Sequence, residues 1–134
     1  MNLNLRKRVA EANGCKAVIR TINNLAGIDN TYLFCECEGE KRFNSHSEWV
    51  NGKLLIKPYD LDHHAALDAL MEFCNKESRD WRIEYFGSEC RVMIFRQADR
   101  LSGRYFCVEN KSLAPAICKA IKAAAQKSEK EGVK

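Results

Sequence analysis

The stretch "WRIEYFGSECRVMIFR", residues 81–96, decides the fold class. It holds two runs rich in β-branched and aromatic residues, separated only by Gly-Ser-Glu. A link this short joins two antiparallel strands in a hairpin. In residues 90–96 both alternating sets contain large apolar side chains, which predicts a central strand covered on both faces. A third strand is predicted at residues 104–108, so the chain should contain an antiparallel sheet.

Helices are predicted on both sides of this hairpin. Residues 60–75 place apolar side chains at helical spacing, with Asp60 as the expected N-cap. At the N-terminus, "LRKRVAEANG" reads as a helix that ends at Gly14. At the C-terminus, Ser112 should open an amphipathic helix in which Pro115 is tolerated in the first turn.

The first half of the chain adds further predicted strands at residues 16–22 and 31–38, and a short one within 53–58. Residues 39–52 are polar and aperiodic, which predicts a loop. We therefore expect an α+β fold with a single-layer, mostly antiparallel sheet of four to five strands, packed with two or three amphipathic helices. Residues 1–127 should form one domain, followed by a flexible basic tail at 128–134.

Composition limits the function classes. The 134 residues are 46% hydrophobic and 30% charged, a globular balance. No run reaches the ~18 apolar residues of a membrane span, and no signal peptide is visible, so a cytoplasmic location with no membrane partner is expected. The seven cysteines include no CxxC pair and read mainly as core residues, and no cofactor is predicted.

The densest set of polar chemistry is "YDLDHHAALDAL", residues 59–70. On a helix, His63 would lie on the apolar side, whereas Asp60, His64 and Asp68 would form a polar stripe. Such a stripe can orient a base or bind a metal, but acidic residues also favour any helix start through the macrodipole. The two histidines point in different directions, so the segment is interpreted mainly as a helix start, with His63 partly buried and no catalytic residue assigned.

A metal site is one alternative. Cys35 and Cys37 alternate onto one face of a predicted strand, and His46 follows at a C-x-C-x8-H spacing. These three side chains could bind zinc if the intervening loop folds back and another residue supplies a fourth ligand. This alternative predicts a zinc-binding small domain or a metal-dependent enzyme.

Nucleic-acid binding is a second alternative. Residues 1–110 carry 16 basic and 16 acidic side chains, so the whole net charge of +4 lies in residues 111–134, with six lysines and two glutamates. A basic patch forms if the first and last helices lie side by side, and phosphate contacts need little more. Its candidate residues are Arg6, Lys7, Arg8, Lys119 and Lys122.

The order of these signals resembles a family of small bacteriophage and prophage proteins with an α-β-α sandwich domain. The resemblance is carried by "RVAEANG" at 8–14, "PYDLDHHAALDAL" at 58–70, "DWRIEYFG" at 80–87 and "LAPAICKAIKAA" at 113–124. It covers about half of the chain and implies a phage or prophage source, a compact fold and a bacterial host cytoplasm. It implies no established activity.

The leading expectation is therefore a non-enzymatic phage or prophage accessory protein that binds a host or phage macromolecule, most simply a protein. Inhibition of a bacterial defence system is one concrete version. The polar segments 39–52 and 96–104 are the expected partner surface, because binding residues concentrate on loops. The candidate residues there are Phe43, His46, Trp49, Arg96 and Arg100.

Overall fold

The computed structural model describes residues 2–23, 25–37, 45–50, 52–96 and 105–130. These residues form three helices and seven strands, which confirms the α+β class. In chain order the elements are α1 (Leu3–Ala12), β1 (Ala17–Asn23), β2 (Asp29–Cys35), β3 (Ser45–Val50), β4 (Lys53–Ile56), α2 (His63–Glu77), β5 (Asp80–Phe86), β6 (Glu89–Phe95), β7 (Tyr105–Asn110) and α3 (Leu113–Lys130).

The strands form two sheets rather than the predicted single sheet of four to five strands. Strands β1 to β4 pair in the order β1-β2-β4-β3, and the remaining strands pair in the order β5-β6-β7. Every pair is antiparallel, as predicted. Helix α2 separates β4 from β5 along the chain, and each strand pairs only with strands on its own side of α2. The alternation of side chains predicts where each strand lies, but it does not show which strands pair, so the division into two sheets could not be predicted from it.

The helices lie between the two sheets. Helix α1 contacts β1, β2 and β4 and also packs on α3, whereas α3 packs on β6, β7 and α2. This sheet-helix-sheet order differs from the helix-sheet-helix order implied by the family resemblance. Because α3 has neighbours on several sides, its small residues Ala116, Ala120 and Ala124 are fully buried. One continuous core therefore joins both sheets through the helices.

Strand β6 is central in its sheet but is not covered equally on both faces. Cys90, Val92 and Ile94 are buried beneath α3, whereas Arg91 and Met93 on the other face are half-exposed. Phe95 on that outer face is buried, so the prediction of a central strand covered on both faces holds at Phe95 and fails at Arg91 and Met93. No second helical layer covers the outer face among the residues that the structure describes.

Two predicted irregular segments are more ordered than expected. Residues 45–50, within the predicted 39–52 loop, form the edge strand β3, in which Ser45 pairs with Ile56 and Trp49 with Leu54. The register shifts between these pairs, a bulge that breaks the regular alternation of a strand. Helix α3 continues to Lys130, so residues 128–130 are helical where a tail was expected; residues 131–134 lie outside the described ranges.

The start of α2 differs from the prediction. Asp62, not Asp60, is the N-cap: its Oδ1 accepts hydrogen bonds from the backbone N–H groups of His64 at 2.9 Å and Ala65 at 3.4 Å. Asp60 is instead buried two residues earlier, where it accepts a hydrogen bond from Arg6 Nε at 2.7 Å. None of the helices in the described part of the chain is long and apolar enough to span a membrane.

Candidate functional site

An open groove lies where α2 and α3 begin, against β5. Its volume is about 620 Å³. The start of each helix and the residues just before it form the rims, with Leu61 and His63 on one side and Leu113 and Pro115 on the other. Tyr85 of β5 completes the wall. We call this feature the β5 groove. It brings together three segments that are distant in the sequence.

Strand β5 is an edge strand that carries exposed aromatic side chains beside this groove. Trp81 pairs with Ile94 and Tyr85 pairs with Cys90, so both lie on the sheet face that β6 buries. Helix α3 packs mainly on β6 and β7, and the smaller contact of α2 with β5 leaves Trp81 38% and Tyr85 69% exposed. Leu61, across the groove, is 65% exposed. Apolar surface is therefore exposed next to an open sheet edge.

The opposite face of the same sheet carries paired charged side chains. Arg91 contacts Glu109 at 2.8 Å and Glu84 at 3.6 Å, and Arg82 also contacts Glu84, at 3.1 Å. The Arg91 guanidinium also lies 4.3 Å from the centre of the Phe86 ring. The hydrogen bond to Glu109 is the main reason that the pKa of Arg91 is raised. These charges compensate one another within the sheet.

His63 lines the β5 groove and His64 follows it at the start of α2. Both are exposed, with their ring centres 4.2 Å apart, so the prediction of a partly buried His63 is wrong. The predicted Asp60, His64 and Asp68 stripe does not form, because Asp60 precedes the helix and is held by Arg6. Among the described residues no hydrogen bond joins either imidazole to a carboxylate.

Three cysteines converge where the segment after α1 meets the end of β2. The Sγ atom of Cys15 lies 3.7 Å from that of Cys35 and 3.3 Å from that of Cys37, and all three side chains are buried. Together we call these residues the thiol cluster. Burial raises the pKa of both Cys15 and Cys35 above the ordinary thiol value. Burial therefore favours the neutral thiol form of Cys15 and Cys35.

The third member, Cys15, was missed in the sequence because it lies 20 residues from Cys35. The β1-β2 register pairs Ala17 with Cys35, so the next pair on the same face joins positions 15 and 37. The hydrogen bond from Glu36 N–H to the Lys16 carbonyl at 2.8 Å continues this register beyond β1. The turn-rich segment "NNLAGIDN" could have indicated this pairing, because a hairpin centred on residue 26 places positions 15 and 37 opposite each other.

His46, the other predicted metal ligand, lies in β3. Strand β4 separates β3 from β2, so the backbone at His46 is two strands from Cys35, or about 10 Å at the usual strand spacing. The metal-ligand candidates that the structure brings together are therefore Cys15, Cys35 and Cys37.

One residue of the predicted basic patch, Arg6, is not available to bind phosphate. Arg6 is buried and its Nη2 lies 2.6 Å from Asp60 Oδ1, so this guanidinium is committed to an internal ion pair. Lys119 and Lys122 are exposed on α3, whereas Lys7 and Arg8 are half-buried on α1. Arg6 as a phosphate-binding residue is therefore a wrong assignment.

The predicted partner-binding residues are dispersed. Phe43 and Arg100 lie outside the described residues. His46 and Trp49 lie in β3 of the four-stranded sheet, whereas Arg96 is exposed directly after β6 of the other sheet. The residues of the β5 groove were not selected from the sequence, because their proximity depends on how α2 and α3 pack.

Comparison of the chain with protein-family models, with curated proteins and with solved structures found no match. No relative therefore transfers an activity or a ligand to this chain. Its function is inferred from the geometry of the β5 groove, the thiol cluster and the charged surfaces.

Proposed function

We propose that this protein is a non-enzymatic accessory protein of phage or prophage origin that binds a host or phage protein in the bacterial cytoplasm. The binding mode that its surface favours is capture of an extended segment of the partner along β5. The observation that carries this proposal is the open edge of β5 beside an apolar groove.

The edge of β5 offers backbone groups to a partner. An edge strand presents a row of N–H and C=O groups that lack a neighbouring strand, and an extended peptide can satisfy them by adding a strand. Strand β5 has seven residues, enough for a regular ladder. Backbone pairing would align the bound segment in register with β5.

The groove supplies side-chain contacts next to that ladder. Alternate side chains of an added strand would point toward Tyr85 and Leu61, which are largely exposed. Burying one large apolar side chain contributes roughly 1.5–3 kcal/mol, and aromatic residues are frequent anchors of protein interfaces. A volume of about 620 Å³ accommodates a few side chains. Specificity would then come from the partner residues that face the groove.

Inhibition of a bacterial defence system is one concrete form of this activity. A small protein that adds its β5 edge to a partner covers that partner segment and blocks its other contacts. No catalytic step is required, because occupancy alone produces the effect. The setting is taken from the short sequence motifs shared with small phage proteins, because the order of layers in the fold does not match theirs.

The first experiment compares two neighbouring aromatic residues that lie on opposite faces of β5. Tyr85→Glu places a charge at the groove, whereas Phe86→Ser removes an exposed ring from the outer face. A tagged pull-down from nuclease-treated host lysate should recover a stoichiometric protein with the wild type and with Phe86→Ser. Recovery should fall at least about tenfold with Tyr85→Glu, since losing one anchor costs more than ~1.4 kcal/mol.

Hydrogen exchange on the purified complex then locates the contact. The β5 amides should become protected when the partner binds, because new backbone hydrogen bonds form at the edge. Partner recovery that is equal for both variants, or protection confined to β3, would contradict the β5 proposal. A parallel pull-down from lysate without nuclease tests the alternative: recovery of nucleic acid alone, lost in a Lys119→Gln, Lys122→Gln double variant and weakened by salt, would instead favour the basic α3 surface.

A further inference from the structure

The thiol cluster differs from the other buried cysteines of the protein. Cys74, Cys90 and Cys118 are also buried, yet among the described residues only Cys15, Cys35 and Cys37 gather into a group of potential metal ligands. Their three sulfur atoms all lie within 4.8 Å of one another. The cluster joins the chain just after α1 to the end of β2, so it links two segments of the fold.

The spacing of these sulfur atoms suits a shared metal ion. Tetrahedral zinc with Zn–S bonds of about 2.3 Å separates its sulfur ligands by about 3.8 Å. The Cys15 Sγ to Cys35 Sγ distance is 3.7 Å and the Cys15 Sγ to Cys37 Sγ distance is 3.3 Å. Shifts of a few tenths of an ångström would therefore place one ion within bonding distance of all three sulfurs.

The backbone already supports one of the ligands. The N–H of Lys16 lies 3.0 Å from Cys37 Sγ and donates a hydrogen bond to it. Hydrogen bonds of this kind orient ligands and stabilise the negative charge of a thiolate. Because Lys16 is fixed by β1-β2 pairing through its carbonyl, this donor is held in place by the sheet.

We propose that Cys15, Cys35 and Cys37 form a three-sulfur site for a thiophilic metal ion. Soft thiolate ligands select Zn²⁺ or Cu⁺ over hard ions such as Mg²⁺ and Ca²⁺. The ion displaces up to three thiol protons to solvent and forms up to three metal–sulfur bonds. Full deprotonation leaves a site charge of −1 with Zn²⁺ and −2 with Cu⁺. The lower buried charge favours zinc, whereas three-coordination by sulfur favours copper.

The site is independent of the proposed partner surface. The thiol cluster lies on the α1, β1 and β2 side, whereas the β5 groove is built from β5 and the starts of α2 and α3. Metal bound at the cluster would stabilise the fold by cross-linking α1 to β2. Failure of the partner experiment would leave this inference intact, and the reverse also holds.

The test uses the full-length protein, reduced and treated with a chelator that is then removed. Zn²⁺ and, anaerobically, Cu⁺ are added separately, with Mg²⁺ as a hard-ion control. We expect one Zn²⁺ or Cu⁺ ion per chain, a thiolate-to-metal charge-transfer band, proton release and a higher thermal unfolding midpoint. Mg²⁺ should produce none of these changes.

Two alanine variants test whether metal binding requires the thiol cluster or any buried cysteine. Cys15→Ala should weaken binding at least about a hundredfold, since even changes outside the ligand set cost ~10–100-fold. Cys74→Ala, a buried cysteine of α2 outside the cluster, should bind as the wild type does. Circular dichroism of both metal-free variants checks the fold, and Cys37→Ser repeats the test if Cys15→Ala does not fold. Absence of stoichiometric Zn²⁺ and Cu⁺ binding by the folded wild type, or equal weakening by Cys74→Ala, would overturn the proposal.

Discussion

At the scale of single residues, Arg6 and Asp60 form a buried ion pair. Asp60 accepts hydrogen bonds from Arg6 Nε at 2.7 Å and from the backbone N–H of Asn2 at 2.9 Å. The pair therefore ties the start of α1 to the segment before α2, 54 residues away. Asp60 also lines the β5 groove, so the pair positions one of its rims.

Replacing Asp60 by asparagine should destabilise the protein strongly. The change leaves the Arg6 guanidinium buried without its counter-charge, which typically costs 3–5 kcal/mol, so we expect a loss of about 3 kcal/mol. Glu11→Gln is the matched control, because its ion pair with Arg8, at 3.7 Å, is largely solvated and should contribute under about 1 kcal/mol. Urea unfolding at neutral pH measures both values. Equal effects of the two variants would show that the buried pair contributes no special stability.

At the scale of elements, α2 shows how local signals place a helix. Asp62 caps its N-terminus, and at its C-terminus Ser78 adopts a left-handed conformation with φ of 55°. The Ser78 N–H reaches the Asn75 carbonyl and the Arg79 N–H reaches that of Cys74. This ending is common for helices, but glycine is the residue that adopts it without steric cost.

Ser78→Gly should therefore stabilise the protein. Glycine removes the strain of a positive φ, and we expect a gain of about 0.5–1 kcal/mol in the free energy of unfolding. Ser88→Gly in the β5-β6 turn is the control: among the described non-glycine residues only Ser78 has a positive φ, so the change at 88 should give no gain. Chemical denaturation detects this difference. A loss of stability in Ser78→Gly would contradict the strain argument.

Most elements could be predicted from the sequence because their signals are local. The three helices and the strands β1, β2, β4, β5, β6 and β7 appear within a few residues of their predicted positions. Strand β3 was missed because "SHSEWV" is polar and its pairing is bulged. The split into two sheets and the position of Cys15 depend on pairing between distant segments. Neither the β5 groove nor the thiol cluster could be assembled from periodicity alone.

At the scale of the whole molecule, the layer of helices between two sheets buries several free thiols in a shared core. Cys74 on α2 and Cys118 on α3 are almost completely buried. Burial raises the pKa of each to about 12. For Cys74, Arg79 lowers the pKa and Asp80 raises it, whereas for Cys118, Asp60 raises it and Arg6 lowers it. Desolvation outweighs these charges in both cases.

This burial predicts that the protein loses stability in alkaline solution. A thiol with a higher pKa in the folded state keeps its proton after the unfolded chain, with a pKa near ~8.5, has released its own. The stabilising contribution is therefore complete below about pH 8.5 and falls as the pH rises toward the folded value. At about pH 9.5 each of the two thiols should lower the free energy of unfolding by ~1.4 kcal/mol relative to neutral pH.

Urea unfolding at neutral and alkaline pH, with reductant and chelator present, measures this loss. Cys74→Ala should show a smaller difference between the two pH values than the wild type, because one titrating group has been removed. Cys107→Ala is the matched control: Cys107 is exposed, so its removal should change the pH dependence less. A free energy of unfolding that is the same at both pH values would mean that the folded core does not hold these thiols neutral. In that case water would reach Cys74 and Cys118 even though the helices pack between the two sheets.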